Sequence, residues 1–179
     1  TKQTYTTMIS GYFRDKNASM ALKCFQNMNE HGCAPDSLTY GAMISGLCKE
    51  SKLDEARRLY ETMIDMGLSP CEVTRLTMAY EFCMKDESSV AMALLDKLEK
   101  KLWVRTVSTL VRKLCGEKKV DIAVQFFDKL LNKHQNVDRV TLAAFMTACY
   151  NSNNYALVAN VSDKISKQKG YLFIFAAFN

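Results

Sequence analysis

Seven cysteines and two histidines are the side chains here best suited to metal or redox chemistry. Their spacing decides whether they do any. Cys24, Cys33, Cys48, Cys71, Cys83, Cys115 and Cys149 contain no Cys-x-x-Cys pair, and neither His31 nor His134 has a second histidine at the short spacing of a zinc site. An odd number of thiols also argues against a closed disulfide framework. They read as reduced, buried side chains of an intracellular protein. Cys71 falls in a loop where nothing in the sequence would clearly lower its pKa. The other catalytic patterns are missing too: no Gly-rich phosphate loop, no Ser/His/Asp arrangement and no carboxylate cluster at metal spacing. The expectation is a chain that is not an enzyme, with no metal and no cofactor.

Composition narrows the remaining classes. Lys and Arg outnumber Asp and Glu by 24 to 19, a net charge of +5, which permits a polyanionic partner without requiring one. Apolar residues make up 48% of the chain, enough for a core, while Gly (7) and Pro (2) are scarce, which favours helix. No apolar run approaches the roughly 20 residues of a membrane span, so no membrane partner is expected. No signal peptide opens the chain. The closing "GYLFIFAAFN", Gly170 to Asn179, is hydrophobic but too short to cross a bilayer. The runs "DKLEKK" (Asp96 to Lys101) and "EKK" (Glu117 to Lys119) read as solvated faces.

What positions these residues is a repeat. Ala21 to Ala56, Ala56 to Ala91 and Ala123 to Val158 are each 35 residues, and Ala91 to Ala123 is 32. The cysteines keep the same clock: Cys48 to Cys83 is 35, Cys83 to Cys115 is 32, and Cys115 to Cys149 is 34. Each unit reads as two helices. Tyr5, Met8, Ile9 and Phe13 form one apolar stripe at helical spacing; Met20, Ala21, Cys24, Phe25 and Met28 form a second. Gly32 suits the left-handed position that ends a helix, with Pro35 just beyond; Gly67 and Pro70 repeat that punctuation. The recurring alanines fall where the second helix should cross the first, and Gly11 and Gly46 are expected to allow close approach on the first. A lone helix pair cannot bury its apolar faces, so stacking must supply the core. The aromatic stripe of Tyr5, Phe13, Phe25, Tyr40, Tyr60, Phe126 and Phe127 is assigned to that core. The fold expected is all-α: an α-solenoid of about five stacked helix-turn-helix repeats and ten helices. Its units are residues 2–36, 37–71, a short degenerate 72–103, 104–138 and a degenerate 139–169, followed by the tail 170–179.

A 35-residue helical hairpin that opens with "TY" and closes with "G-x-x-P-D" resembles the P-type pentatricopeptide repeat, as in "TYTTMISGY…ALKCFQNM…GCAPD" and "TYGAMISGLCK…KLDEARRLYETM…GLSP". The Trp/Leu-Gly/Tyr pattern of the tetratricopeptide repeat is absent. The resemblance is strong over residues 2–71 and weaker beyond. It implies a right-handed superhelix that binds single-stranded RNA, one base per repeat. In that family the fifth and last residues of a repeat address the base, and the second packs between successive bases. Carried over, the fifth positions are Thr6, Gly41, Leu76, Ser108 and Ala143; the last are Asp36, Cys71, Trp103 and Asp138. Thr6/Asp36 matches a pair that favours guanine, and Ser108/Asp138 resembles the same class. Gly41/Cys71 and Leu76/Trp103 match no good pair. The second positions are Gln3, Leu38, Val73, Arg105 and Val140, of which Leu38, Val73 and Val140 are apolar enough to sandwich bases. The backbone-contacting position holds Arg14 and Lys49, then Met84, Gly116 and Asn151, so phosphate contact should weaken along the chain.

Plainer roles stand beside these. Small residues at a helix start often cap it, and Asp36 and Asp138 are placed to cap the helix that follows. The resemblance implies a mitochondrial or chloroplast protein acting in RNA processing, stability, splicing or translation, with other proteins of an organellar ribonucleoprotein complex as possible partners. The alternative is a protein-binding scaffold or a subunit of a larger complex such as an organellar ribosome, with Tyr171 to Phe178 as a docking segment. The chain opens inside a first repeat without an N-terminal cap, which is expected of part of a longer protein.

Overall fold

Each apolar stripe becomes a helix. The computed structural model describes residues 1–134 and 137–167, and among them every regular element is helical. In order these are α1 Lys2–Arg14, α2 Ala18–Glu30, α3 Ser37–Lys49, α4 Leu53–Asp65, α5 Glu72–Met84, α6 Ser88–Leu95, α7 Lys100–Gly116, α8 Val120–Lys129, α9 Arg139–Asn151 and α10 Tyr155–Ser166. A π-helical turn, Leu130–His134, continues α8. The tail Gly170 to Asn179 lies outside the described residues.

The chain forms two compact units, residues 1–85 and residues 86 onward. In the first, α1 pairs with α2 and α3 with α4, while α1, α3 and α5 lie side by side. In the second, α7 pairs with α8 and α9 with α10, and α7 lies against α9. First helices thus form one row within each unit, as stacking of hairpins requires.

The packing follows the sequence clock. Ala21, Ala56, Ala91 and Ala123 are all fully buried, and so in large part are Cys48, Cys83, Cys115 and Cys149. Burial pushes these four thiols up, Cys48 and Cys83 to about 12 and Cys115 and Cys149 to about 11, which makes them inert packing groups. Phe25, Tyr40, Tyr60, Phe126 and Phe127 are buried, whereas Tyr5 and Phe13 are half-buried. The two glycines assigned to close approach differ. A Cβ on Gly46 would lie 2.2 Å from the Phe13 ring of the preceding repeat, so only glycine fits. A Cβ on Gly11 would meet nothing within 4 Å.

The turns are equally regular. Gly32 and Gly67 take φ of +71° and +76° after α2 and α4, and Cys33 and Leu68 donate back to the carbonyls of Met28 and Met63. In the turns after α1, α3, α5, α7 and α9 the left-handed residue is not glycine: Lys16, Ser51, Asp86, Lys118 and Asn153 all have φ of 56–60°.

One boundary differs from the sequence reading, which ends the third repeat at Trp103 in a loop. Helix α7 opens at Lys100, so Trp103 lies inside it, buried, with Nε1 donating to Asp96 Oδ1 at 3.2 Å. "EKKLWVR" holds no Gly or Pro, and its residues are adequate helix formers, so nothing stops the helix from starting a turn early. Asp96 is also more than a solvated charge, since Lys129 Nζ reaches its other oxygen at 3.1 Å.

Candidate functional site

In the first unit α1, α3 and α5 lie side by side, and their opening residues carry the positions expected to read a base. In the first unit the arrangement is a chain of hydrogen bonds. Asp36 caps α3, accepting at Oδ1 from the Thr39 N–H (3.0 Å) and from the Thr39 hydroxyl (3.0 Å). Thr39 is fully buried, and its hydroxyl lies 2.9 Å from that of Thr6 in α1. Thr6 also donates to the carbonyl of Lys2 at 3.0 Å. The structure therefore brings Thr6 and Asp36 together through Thr39. The backbone N–H of Thr39, with help from its hydroxyl and against some burial, holds the Asp36 carboxyl below its ordinary value. A cleft of about 320 Å³ opens here, lined by Lys2, Gln3, Thr6, Thr7, Asp36 and Leu38.

Thr39 is a residue that reading by motif missed, although the signal was present. Thr4, Thr39, Thr74, Thr106 and Thr141 recur at the 35- and 32-residue spacing of the alanines. Four of them sit three residues after a group that can bond them: Thr1, Asp36, Cys71 and Asp138. The fifth, Thr106, follows Trp103, which offers no acceptor, and its buried Oγ1 has no hydrogen-bond partner.

The other positions follow their chemistry. Gly41 presents no side chain, and a Cβ there would stand 3.0 Å from Thr74 Oγ1. The Cys71 thiol corrects the sequence expectation that nothing nearby would lower its pKa. Partial burial raises it, but hydrogen bonding to the Thr74 hydroxyl (3.2 Å) and to the backbone N–H groups of Thr74 and Val73, with the charge of Arg75, outweighs that and holds it below the ordinary thiol value. Cys71 is also exposed. In the second unit Ser108 is only 4% exposed. Asp138 caps α9 through the Thr141 N–H (2.7 Å) and hydroxyl (2.8 Å), and Arg112 approaches it at 3.6 Å.

The second positions stand out as exposed apolar side chains. Leu38 is 70% exposed, Val73 68% and Val140 65%, where most of the described aliphatic residues are buried or half-buried. Gln3 and Arg105 are exposed as well. In the first unit Arg14 and Lys49, both in the last turns of their helices, line one cleft of about 270 Å³ with Ser10, Phe13 and Ser45. Among the described residues no group of His, Cys, Asp or Glu could hold a metal ion, and no helix is long and apolar enough to cross a membrane.

Rows of helical hairpins define an all-α helical-repeat protein. The comparisons name the repeat. The model of the PPR repeat family matches residues 2–49 and 39–84. Over that segment the chain is a pentatricopeptide repeat protein, a helical-repeat type associated in general with RNA binding and not with catalysis. Among solved structures, the pentatricopeptide repeat protein PPR10 from maize matches with a TM-score of 0.60 at 23% identity, over 80% of this chain. This chain spans 21% of that protein's length, so the likeness supports the fold. No curated protein matches the chain significantly.

Proposed function

We propose that the chain binds single-stranded RNA along the edge formed by the first helices, and that its first repeat selects guanine. One observation carries this reading: the direction of the protons in the Thr6–Thr39–Asp36 chain. The Thr39 hydroxyl donates to Asp36, so its oxygen can only accept from Thr6. The single Thr6 proton is shared between Thr39 and the Lys2 carbonyl. Thr6 is left with lone pairs for a ligand, and Asp36 is an acceptor throughout. Two acceptors side by side call for a base edge with two adjacent donors. Guanine presents one, N1–H beside the exocyclic amine. Adenine, cytosine and uracil each set an acceptor into that edge.

Leu38 and Val73 support the reading, because an aliphatic residue held 70% or 68% in water in successive repeats suits packing between bases. Arg14 and Lys49, at the other ends of α1 and α3, would meet phosphates where the backbone passes their cleft. Ser108/Asp138 is a second pair of the same class, with Arg112 lying against its carboxylate, and Val140 is its aliphatic neighbour. Family membership supports an organellar setting, mitochondrion or chloroplast, and a role in RNA processing, stability, splicing or translation.

Selection from a random single-stranded RNA pool, at two salt concentrations, tests this. The wild type should enrich guanine at one position. Thr6→Asn should shift that position toward a pyrimidine, because an amide brings a donor that suits a uracil carbonyl while Asp36 still accepts from N3–H. If the pool yields no selection and the chain instead retains a protein partner, it acts as a scaffold and the reading is wrong.

A further inference from the structure

The fourth repeat contains a residue that the first does not, and it faces the same groups. In the first repeat the residue one turn after Thr6 is Ser10, whose hydroxyl turns back to the Thr6 carbonyl at 3.0 Å. There it is Thr6 that bonds Thr39, and Thr39 that bonds Asp36. In the fourth repeat the residue one turn after Ser108 is Arg112. Its Nη1 donates to Thr141 Oγ1 at 2.9 Å and lies 3.6 Å from Asp138 Oδ2; its Nη2 donates to Thr109 Oγ1 at 3.2 Å. The Thr141 hydroxyl donates to Asp138, so its lone pairs are the ones that Arg112 takes.

We propose that Arg112 is a specificity-determining residue that closes the fourth repeat to a base. A guanidinium is a planar fork of N–H donors. The donor edge of guanine has the same N–C–N skeleton. Arg112 thus bonds Thr141 where Thr6 bonds Thr39, and sets the same kind of donor fork beside Asp138, the carboxylate that guanine would meet as it meets Asp36. The closure is reversible, because Arg112 and Asp138 are both partly exposed, with 34% and 49% of their side chains in water, and an exposed ion pair is weak. The fourth repeat therefore takes up RNA through Val140 with little choice of base. This inference rests on the guanine reading of the first repeat.

The test uses the full chain and the same random RNA pool, with Arg112→Ser, which places the residue of the first repeat there, and Arg112→Gln, which keeps more of the packing. The readout is base enrichment at each position and not affinity, since loss of a positive charge weakens any RNA binding. Wild type should enrich one guanine. Both variants should add a second guanine at one fixed offset from the first, enriched about two- to fivefold, the range that release of an exposed ion pair allows. If the first guanine persists and no second one appears in either variant, Arg112 does not close the site and the inference is overturned, while the reading of the first repeat stands. If wild type enriches no guanine at all, both fall together.

Discussion

The same substitution at one repeat position should have opposite effects in two repeats. Thr39 in α3 and Thr106 in α7 occupy the same repeat position, and both are fully buried. Replacement by valine keeps the branched shape and removes only the hydroxyl. In Thr39→Val two hydrogen bonds disappear, to Asp36 Oδ1 (3.0 Å) and to Thr6 (2.9 Å). Each is worth about 0.5–1.5 kcal/mol net. Thr6 keeps its bond to Lys2 and Asp36 keeps the Thr39 N–H, so the loss should be about 1–2 kcal/mol. In Thr106→Val the hydroxyl removed has no partner, and a buried unsatisfied polar group costs about 1–3 kcal/mol. That variant should therefore gain about 1 kcal/mol or more. Urea unfolding measures both. Trp103 is the sole tryptophan and sits three residues from Thr106, so its fluorescence reports the second unit; far-UV circular dichroism follows the helices of both, and the part of its transition that fluorescence does not share belongs to the first. With a urea dependence of about 1 kcal/mol per molar, the midpoint should fall by about 1 M for Thr39→Val and rise by about 1 M for Thr106→Val. A destabilised Thr106→Val, or an unchanged Thr39→Val, would refute the account of how the caps are wired.

Three further outcomes follow from the same geometry. Gly46→Ala should destabilise the first unit by about 1–3 kcal/mol because its Cβ would stand 2.2 Å from Phe13, whereas Gly11→Ala should stabilise it by about 0.5–1 kcal/mol; thermal melts of the two variants give the signs. Alkylation followed by mass spectrometry should modify Cys71 first, with a rate midpoint below the ordinary thiol pKa, and should leave Cys48, Cys83, Cys115 and Cys149 untouched while the chain is folded. The Asp36 carboxyl is held low in the folded state, so its stabilising contribution is complete above the unfolded carboxylate pKa of about 3.9 and is lost as pH falls through the folded value. Asp36→Asn keeps the cap but not the charge, so the melting-temperature gap between wild type and variant should narrow as pH is lowered from 6 to 3.

Much of this molecule was legible in its residues, for identifiable reasons. Alanine and cysteine recur because hairpins stack at one period, and the same period placed Gly32 and Gly67 correctly at the helix ends. Gly11 and Gly46 look identical in sequence, yet only Gly46 meets a neighbour, because a close approach needs the other helix as well. The start of α7 differs from the sequence reading because the third repeat lacks the Gly and Pro that close the first two. Thr39 was passed over since a threonine inside a helix carries no motif of its own; its meaning comes from Asp36 three residues before it and Thr6 on the adjoining helix. For the same reason Ser108 and Asp138 resemble Thr6 and Asp36 in sequence, while in the structure it is Arg112 that bonds Thr141.

The most direct test of the central proposal is methyl and amide NMR of the chain titrated with two short single-stranded RNAs that differ only by one guanine exchanged for adenine. Binding along the proposed edge predicts that the Leu38 and Val73 methyls shift with both, while Thr6 and Thr39 shift clearly more with the guanine strand. Equal shifts of Thr6 and Thr39 with both strands, or shifts that bypass Leu38 and Val73, would contradict it.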